Sequence, residues 1–142
     1  MAQSSLDMNN PWHVRLAERL RDDITIWLCT VRPDRRPHAV IVWFLWDGQD
    51  ILIFSKPNNQ KLRNIENNPR VLLAIDDTKG GSQPLAIEGT AVLVKDGSVS
   101  TAMPAYAEKY AEKFAQFNWT GESMAQEYSE PIRITPARII RG

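Results

Sequence analysis

The sequence has few of the residues from which catalytic and metal sites are usually built. Cys29 is the only cysteine in 142 residues, which excludes an internal disulfide and a cysteine-rich zinc site. The two histidines, His13 and His38, form no H-x-x-x-H pair, and there is no C-x-x-C, G-x-G-x-x-G or Walker motif. We therefore predict no metal site, and the sequence identifies no catalytic residue. Both histidines are expected on the surface or at an interface, and Cys29 is expected to be an inert core thiol.

An excess of charge and a long apolar run are also missing. Lysine plus arginine and aspartate plus glutamate number 17 each, so the chain lacks the basic excess that a nucleic-acid-binding protein would carry. No run approaches 18 apolar residues, and residues 1–10 are polar without an apolar signal region. A single cysteine is typical of a reducing compartment. These features predict a cytoplasmic protein that binds neither nucleic acid nor membrane.

The chain does contain a regular succession of strand and helix patterns. Residues 1–10 are expected to be a flexible N-terminus and residues 11–142 a single domain. Antiparallel strands joined by turns, with helices at the margins, predict a small β-barrel of the α+β class. The predicted strands are residues 24–31, 38–46, 50–54, 70–75, 85–94 and 132–140; the predicted helices are 11–23, one beginning at Asn58 or Asn59 and ending at Asn68, 99–117 and 121–129; residues 76–83 are a predicted loop.

The second predicted strand is apolar on both faces. Ile41 and Trp43 would point to one side, and Val42 and Phe44 to the other. A strand that is half exposed to water would alternate with polar residues, so this strand must be covered on both sides. One face can fill the barrel, and the other needs a partner chain or a ligand. Five tryptophans in so short a chain also indicate flat apolar surfaces for a ring or a partner.

Residues 55–63 contain the clearest candidate for a binding site. Lys56 and Lys61 flank a loop that enters a helix, and Asn58 and Asn59 lie where that helix begins. Ammonium groups and free N–H groups at the positive end of a helix dipole are what a phosphate requires. The alternative is a solvated lysine-rich turn. An anion site beside an apolar strand, in a chain with no acid–base motif, favours a phosphorylated ring cofactor that supplies the chemistry.

Several segments, taken in their order and spacing, resemble one family. They are Thr30-Val31-Arg32-Pro33-Asp34, Val42-Trp43-Phe44-Leu45-Trp46-Asp47-Gly48, Ser55-Lys56-Pro57, Lys61-Leu62-Arg63-Asn64-Ile65 and Asn68-Pro69-Arg70-Val71. The similarity runs from about Pro11 to Ile139. It is to the pyridoxamine 5'-phosphate oxidase-like split-barrel superfamily, and within it to the branch of flavin- and deazaflavin (F420)-dependent oxidoreductases.

The resemblance implies a six-stranded antiparallel split β-barrel with flanking helices. It also implies a homodimer with flavin mononucleotide (FMN) or coenzyme F420 at the subunit interface, and the branch favours F420. By position, Lys61 would be the main phosphate ligand, Asn59 and Gln60 would add polar contacts, and Lys56 would lie nearby. Val42 and Trp43 would face one side of the cofactor ring, with Phe54 and Ser55 on the other. Arg133 resembles the carboxyl-end arginine of the oxidase motif, but its neighbouring residues differ, so vitamin B6 oxidation is not carried over.

The leading functional prediction is therefore a flavin- or deazaflavin-dependent oxidoreductase that transfers a hydride between bound cofactor and a small organic acceptor. The alternative is a non-catalytic protein that binds or carries a flavin, a deazaflavin or haem. Haem is less in keeping with this chain, because only two histidines could serve as its axial ligand. Pyridoxamine phosphate oxidation is the third possibility.

Overall fold

The fold begins with a capped amphipathic helix. The computed structural model describes residues 6–75, 85–95 and 98–140. The side chain of Asn10 accepts a hydrogen bond from the Trp12 N–H, and Pro11 occupies the first helical position, as the sequence predicts. Residues 1–5 of the segment expected to be flexible, and the predicted loop at 76–83, lie outside the described residues. Leu6 packs against the main core.

Over the described ranges the chain forms five helices and seven strands, in an order close to the one predicted. The elements are α1 (Pro11–Asp22), β1 (Ile26–Val31), β2 (Pro37–Val42), β3 (Leu45–Trp46), β4 (Ile51–Ser55), α2 (Gln60–Asn67), β5 (Arg70–Ile75), β6 (Ala86–Leu93), α3 (Ser98–Lys109), α4 (Ala111–Phe117), α5 (Gly121–Glu127) and β7 (Glu130–Ile140).

All strands pair antiparallel in one sheet of order β2-β1-β5-β6-β7-β4-β3. The edge strands β2 and β3 are separated in the chain only by Trp43 and Phe44. Val42 and Leu45 are three residue steps apart and can be separated by about 11 Å at most, so the sheet must curl until these two edges approach each other. We call Trp43 and Phe44 the crossing. The fold is thus α+β, with a curled antiparallel sheet and flanking helices.

The strand count of six is wrong, because the predicted strand at residues 38–46 is two strands. A continuous strand would lie along one edge of the sheet. Instead the backbone leaves β1 after Val42 and joins β4 at Leu45. The two ends of the apolar run therefore belong to opposite edges, and the division at the crossing closes the barrel.

The barrel interior is an aliphatic core closed at one end by α2. Leu62 and Ile65 of α2 face this core, as the helical spacing predicts. Asn64 is also fully buried, and its side-chain amide donates to the Thr30 hydroxyl at 2.9 Å. This bond fixes α2 against β1, because a buried polar side chain without a partner would destabilise the fold.

A second cluster forms where the C-terminal helices cover β4. Every residue of β4 is buried, with Leu52 and Phe54 packed against Tyr106, Tyr110 and neighbouring side chains. The predicted helix at residues 99–117 is broken at Tyr110, whose backbone leaves the helical conformation (φ −105°, ψ 25°). In the described part of the chain, no helix is long and apolar enough to cross a bilayer.

Candidate functional site

A cavity of about 380 Å³ lies between the barrel wall, the start of α2 and the C-terminal helices. Its volume lies within the usual range of small-molecule sites. Six of its ten lining side chains are aromatic, and one is a lysine. The lining residues are Ile41, Val42, Trp43, Phe54, Lys61, Tyr106, Phe117, Trp119, Met124 and Tyr128.

The aromatic walls are held by contacts among the side chains themselves. Trp43 stacks on Tyr110 with ring centroids 4.4 Å apart and planes 6° apart. Trp119 lies 5.9 Å from Trp43, and Phe54 lies 4.7 Å from Tyr106. Such ring pairs add stabilisation beyond the area that they bury, so the walls are preformed. A preformed, flat and apolar cavity is suited to a planar ring.

Of the described residues that line the cavity, Lys61 is the only cationic one. It is the second residue of α2 and is half-buried. Within the described residues, no carboxylate lies within ion-pair distance of its amine. Burial lowers the pKa of the Lys61 amine below its ordinary value. A half-buried ammonium group without a counter-ion favours an anionic ligand, because the anion would offset the cost of desolvation.

Three other predicted site residues bond to the protein rather than line the cavity. The fully buried Ser55 hydroxyl donates to the Lys56 carbonyl at 2.8 Å and lies 3.4 Å from the Asn59 amide nitrogen, which donates to it. The Gln60 amide donates to Asn64 at 2.7 Å. None of these three side chains is among the lining residues. They support the turn that carries Lys61 into the cavity.

Lys56 lies at the cavity rim. Its amine lies 3.6 Å from a carboxylate oxygen of Glu127 and 5.4 Å from the ring centroid of Tyr128, a lining residue. The side chain is about half exposed. Lys56 therefore already has an acidic partner, in contrast to Lys61.

Arg133 is not brought to this cavity. Its guanidinium lies 3.7 Å from an oxygen of Asp47 and 3.5 Å from an oxygen of Asp50, in the hairpin between β3 and β4. The structure thus brings together Val42, Trp43, Phe54 and Lys61 of the predicted set.

Sequence reasoning missed the part of the site that comes from the C-terminal helices. The spacing of Tyr106, Tyr110, Phe114 and Phe117 indicates a packed helix, and no local signal shows which side chain reaches the cavity. Burial raises the pKa of Tyr106, so its hydroxyl stays protonated. The residues missed are Ile41 of β2 and, from the C-terminal region, Tyr106, Phe117, Trp119, Met124 and Tyr128.

Neither histidine lines the cavity. His13 Nδ1 accepts a hydrogen bond from the Asp7 N–H at 2.7 Å. His38 lies on β2 opposite Thr30, and its Nδ1 is buried without a hydrogen bond in the described part of the chain. Across residues 6–75, 85–95 and 98–140, no three histidine, cysteine, aspartate or glutamate side chains come together as a metal site.

Lys109 lies behind the cavity wall and has an unusual environment. Its amine donates to the Phe44 carbonyl at 2.8 Å and lies 3.6 Å from the centroid of the Phe44 ring. Burial lowers the pKa of Lys109 to about 8, although Asp23 and Asp22 act in the opposite direction. The amine is therefore expected to titrate near pH 8.

This environment predicts a stability change with pH. Between pH 8 and about 10.5 the unfolded chain binds a proton at Lys109 that the folded chain does not, so the free energy of unfolding should rise across that window. We expect the free energy of unfolding of the wild type to rise by about 2 kcal/mol between pH 7.5 and 10, relative to that of Lys109→Met. Urea denaturation at each pH measures both values. If the two proteins differed by the same free energy of unfolding at every pH in this range, the lowered pKa of Lys109 would be contradicted.

Comparison with known proteins identifies the family. The family model for pyridoxamine 5'-phosphate oxidase matches residues 14–140. The match covers most of the chain, and the curled sheet with flanking helices agrees with it. The chain therefore belongs to the pyridoxamine 5'-phosphate oxidase-like split-barrel superfamily. Among curated proteins, none matches the chain significantly by sequence.

Solved structures share this fold at low sequence identity. A candidate pyridoxamine 5'-phosphate oxidase from Listeria innocua is 24% identical with a TM-score of 0.70, over 90% of this chain and 95% of its own. An F420 reductase is 23% identical with a TM-score of 0.65, over 88% and 95%. The haem storage protein HutZ from Vibrio cholerae is 18% identical with a TM-score of 0.70, over 90% and 92%. At these identities the likeness concerns the fold alone.

Proposed function

We propose that this protein is an oxidoreductase that binds FMN or coenzyme F420 in the aromatic cavity, with the cofactor's phosphate on Lys61. The observation that carries the proposal is the Lys61 amine, half-buried in an otherwise apolar cavity without an acidic partner in the described residues. FMN and F420 each combine a flat ring with a phosphate, which is the chemistry that this cavity complements. The F420 reductase among the structural neighbours is in keeping with this class of cofactor.

The protein's own residues would bind, orient and exclude water. Trp43 and Phe54 offer flat apolar surfaces to a ring, and Trp119 and Tyr128 close the cavity from the C-terminal helices. When bound, the cofactor supplies the hydride chemistry. Holding a small acceptor at near-attack distance in a water-poor cavity is the contribution that these walls can make. Among the described residues, no carboxylate or histidine lines the cavity, and the role proposed for the protein is therefore positioning.

The alternative is a protein that binds the same cofactor without turnover. Haem is the less suitable ligand for this cavity, because neither His13 nor His38 lines it. The presence of a haem storage protein among the structural neighbours shows only that the fold is shared.

Reconstitution tests this proposal. Apo-protein is mixed with FMN, F420 or haemin, and each mixture is separated from free ligand by gel filtration. Retained absorbance at ~450 nm indicates bound flavin, and retained absorbance at ~420 nm indicates bound deazaflavin. Oxidation of the reduced complex by a panel of quinones and enones then distinguishes an enzyme from a carrier. Retention of haemin alone would overturn the proposal.

We also propose that the outer apolar face of the sheet is covered by a second copy of this chain. Trp27 pairs with Ile41 on one side and Ala74 on the other, and Cys29 likewise lies between Ala39 and Leu72. Ile41 is 48% exposed although it is apolar, and it also lines the cavity. An apolar face of adjoining strands beside a ligand cavity favours a homodimer with the cofactor near its interface.

Light scattering tests the dimer. The wild type is expected to be a dimer at micromolar concentration, with an interface of about 2,000 Å² or more in total. Ala39→Asp, which places a charge on the exposed edge strand, should shift it to a monomer. Gln49→Asp adds the same charge at the exposed turn between β3 and β4 and should leave the dimer intact. A monomeric wild type would contradict the proposal.

Neither histidine is expected to be required for hydride transfer. Because neither side chain lines the cavity, His13→Ala and His38→Ala should each keep single-turnover rates within about tenfold of the wild type, a barrier change near 1.4 kcal/mol. Saturating, pre-reduced cofactor is used so that losses of binding are not mistaken for losses of chemistry. A variant that holds cofactor but no longer transfers hydride would reveal a general acid.

A further inference from the structure

The crossing places backbone polar groups in the interior without a strand to pair them. Phe44 has 0% exposure and belongs to neither β2 nor β3. A buried N–H or carbonyl group that has no partner costs free energy comparable to a lost hydrogen bond. The crossing therefore depends on hydrogen bonds from elsewhere in the chain.

Two consecutive residues at the break between α3 and α4 provide those bonds. The Tyr110 hydroxyl accepts from the Phe44 N–H at 2.9 Å and donates to the Ile24 carbonyl at 2.7 Å. The Lys109 amine donates to the Phe44 carbonyl at 2.8 Å. Both backbone groups of Phe44 are thus satisfied by side chains that lie 65 and 66 residues away in the sequence. We call Lys109 and Tyr110 the clamp.

The clamp also reaches the cavity wall through Trp43. The ring of Tyr110 stacks on the Trp43 indole at 4.4 Å and 6°, and Trp43 lines the cavity while Lys109 and Tyr110 do not. The Tyr110 side chain therefore contacts both the backbone of the crossing, at Phe44, and the indole ring of Trp43. Tyr106, on the same helix as Lys109, also lies against the Trp43 ring, with centroids 6.5 Å apart.

We propose that Lys109 and Tyr110 are positioning residues that set the orientation of Trp43 and thereby the affinity of the cavity for a cofactor ring. The consequence for affinity rests on the proposed function, whereas the orientation of Trp43 does not. A wall that is already oriented binds more tightly, because less conformational freedom is lost on binding.

The test uses Tyr110→Phe, which keeps the ring and removes the hydroxyl. Fluorine NMR of protein labelled with 5-fluorotryptophan reports each indole separately, and Trp43→Phe assigns the Trp43 resonance. In Tyr110→Phe we expect that resonance to shift or broaden while the resonances of Trp12, Trp27 and Trp46 stay in place. The dissociation constant for FMN, or for F420 where that is the ligand retained, should rise about tenfold.

A matched control separates positioning from stability. Asn10→Ala removes the hydrogen bond from the Trp12 N–H that caps α1, and neither Asn10 nor Trp12 lines the cavity. It should lower the melting temperature as Tyr110→Phe does, but leave the Trp43 resonance and the cofactor affinity unchanged. Lys109→Met, which removes the other bond to the crossing, serves as a second variant if Tyr110→Phe does not fold.

The outcomes distinguish this inference from the proposed function. An unchanged Trp43 resonance in the folded clamp variants would overturn the positioning role. A shifted resonance with unchanged affinity would overturn its link to binding. Failure of the wild type to bind either cofactor would contradict the proposed function, and the fluorine spectrum would still decide how Trp43 is held.

Discussion

Replacing Lys61 with alanine is expected to raise the dissociation constant for FMN or F420 by ten- to a hundredfold. Lys61 is the one cation among the lining residues and has no acidic partner in the described part of the chain, so it is available to a phosphate. Loss of one charge-assisted hydrogen bond costs roughly 1.5–3 kcal/mol, which corresponds to that change in affinity. The fold should persist, because the side chain is only half-buried and lies at the start of α2.

Lys56→Ala is the matched control for this prediction. This variant also removes one lysine charge, at a position five residues before Lys61. The Lys56 side chain is about half exposed and is paired with Glu127. Its effect on affinity should be several-fold smaller. Fluorescence titration of each variant measures both constants, and circular dichroism verifies the fold. Equal affinities for wild type and Lys61→Ala would remove the basis for assigning the phosphate to this residue.

Replacing Phe44 with alanine is expected to lower the free energy of unfolding by about 3–5 kcal/mol. The side chain has no exposure, packs in the main core and lies under the Lys109 amine. Its truncation removes apolar contacts and leaves a cavity that the surrounding strands can only partly fill. The loss falls at the crossing, where the sheet closes, so neighbouring strands have little freedom to relax inward.

Phe117→Ala is the control for this loss. Phe117 is 48% exposed at the end of α4, and its truncation should cost less than about 1 kcal/mol. Urea denaturation at one protein concentration gives both values, with the concentration held constant because subunit association would add to stability. A larger loss for Phe117→Ala than for Phe44→Ala would contradict the central place of the crossing in the core.

The helices that begin and end on local signals could be predicted from the sequence. Asn10 and Pro11 mark the start of α1, and Leu62 and Ile65 recur at helical spacing in α2. These signals act between residues a few positions apart, so they can be recognised without knowing what lies around them. Lys61 could be proposed as an anion ligand for the same reason, since its position at a helix start is a local property.

The wall opposite Lys61 could not be predicted in this way. The apolar run at residues 38–46 indicates one strand, and its division at Trp43 and Phe44 follows from the curling of the whole sheet. Likewise, the tyrosine spacing at residues 106–110 indicates a helix, and no local pattern shows that it breaks at Tyr110. The two breaks lie in contact, since Tyr110 stacks on Trp43 and accepts a hydrogen bond from the Phe44 N–H.

What the sequence by itself determined is the family and the order of most elements, and it predicted four residues that line the cavity: Val42, Trp43, Phe54 and Lys61. What only the tertiary structure decided is where the chain crosses between sheet edges, which C-terminal aromatics line the cavity, and that Arg133 lies in a separate ion-pair group. The physical reason is the range of the interactions. Capping and periodic burial act over a few residues, whereas the hydrogen bonds of Phe44 join groups 65 and 66 residues apart and exist only once the barrel has closed.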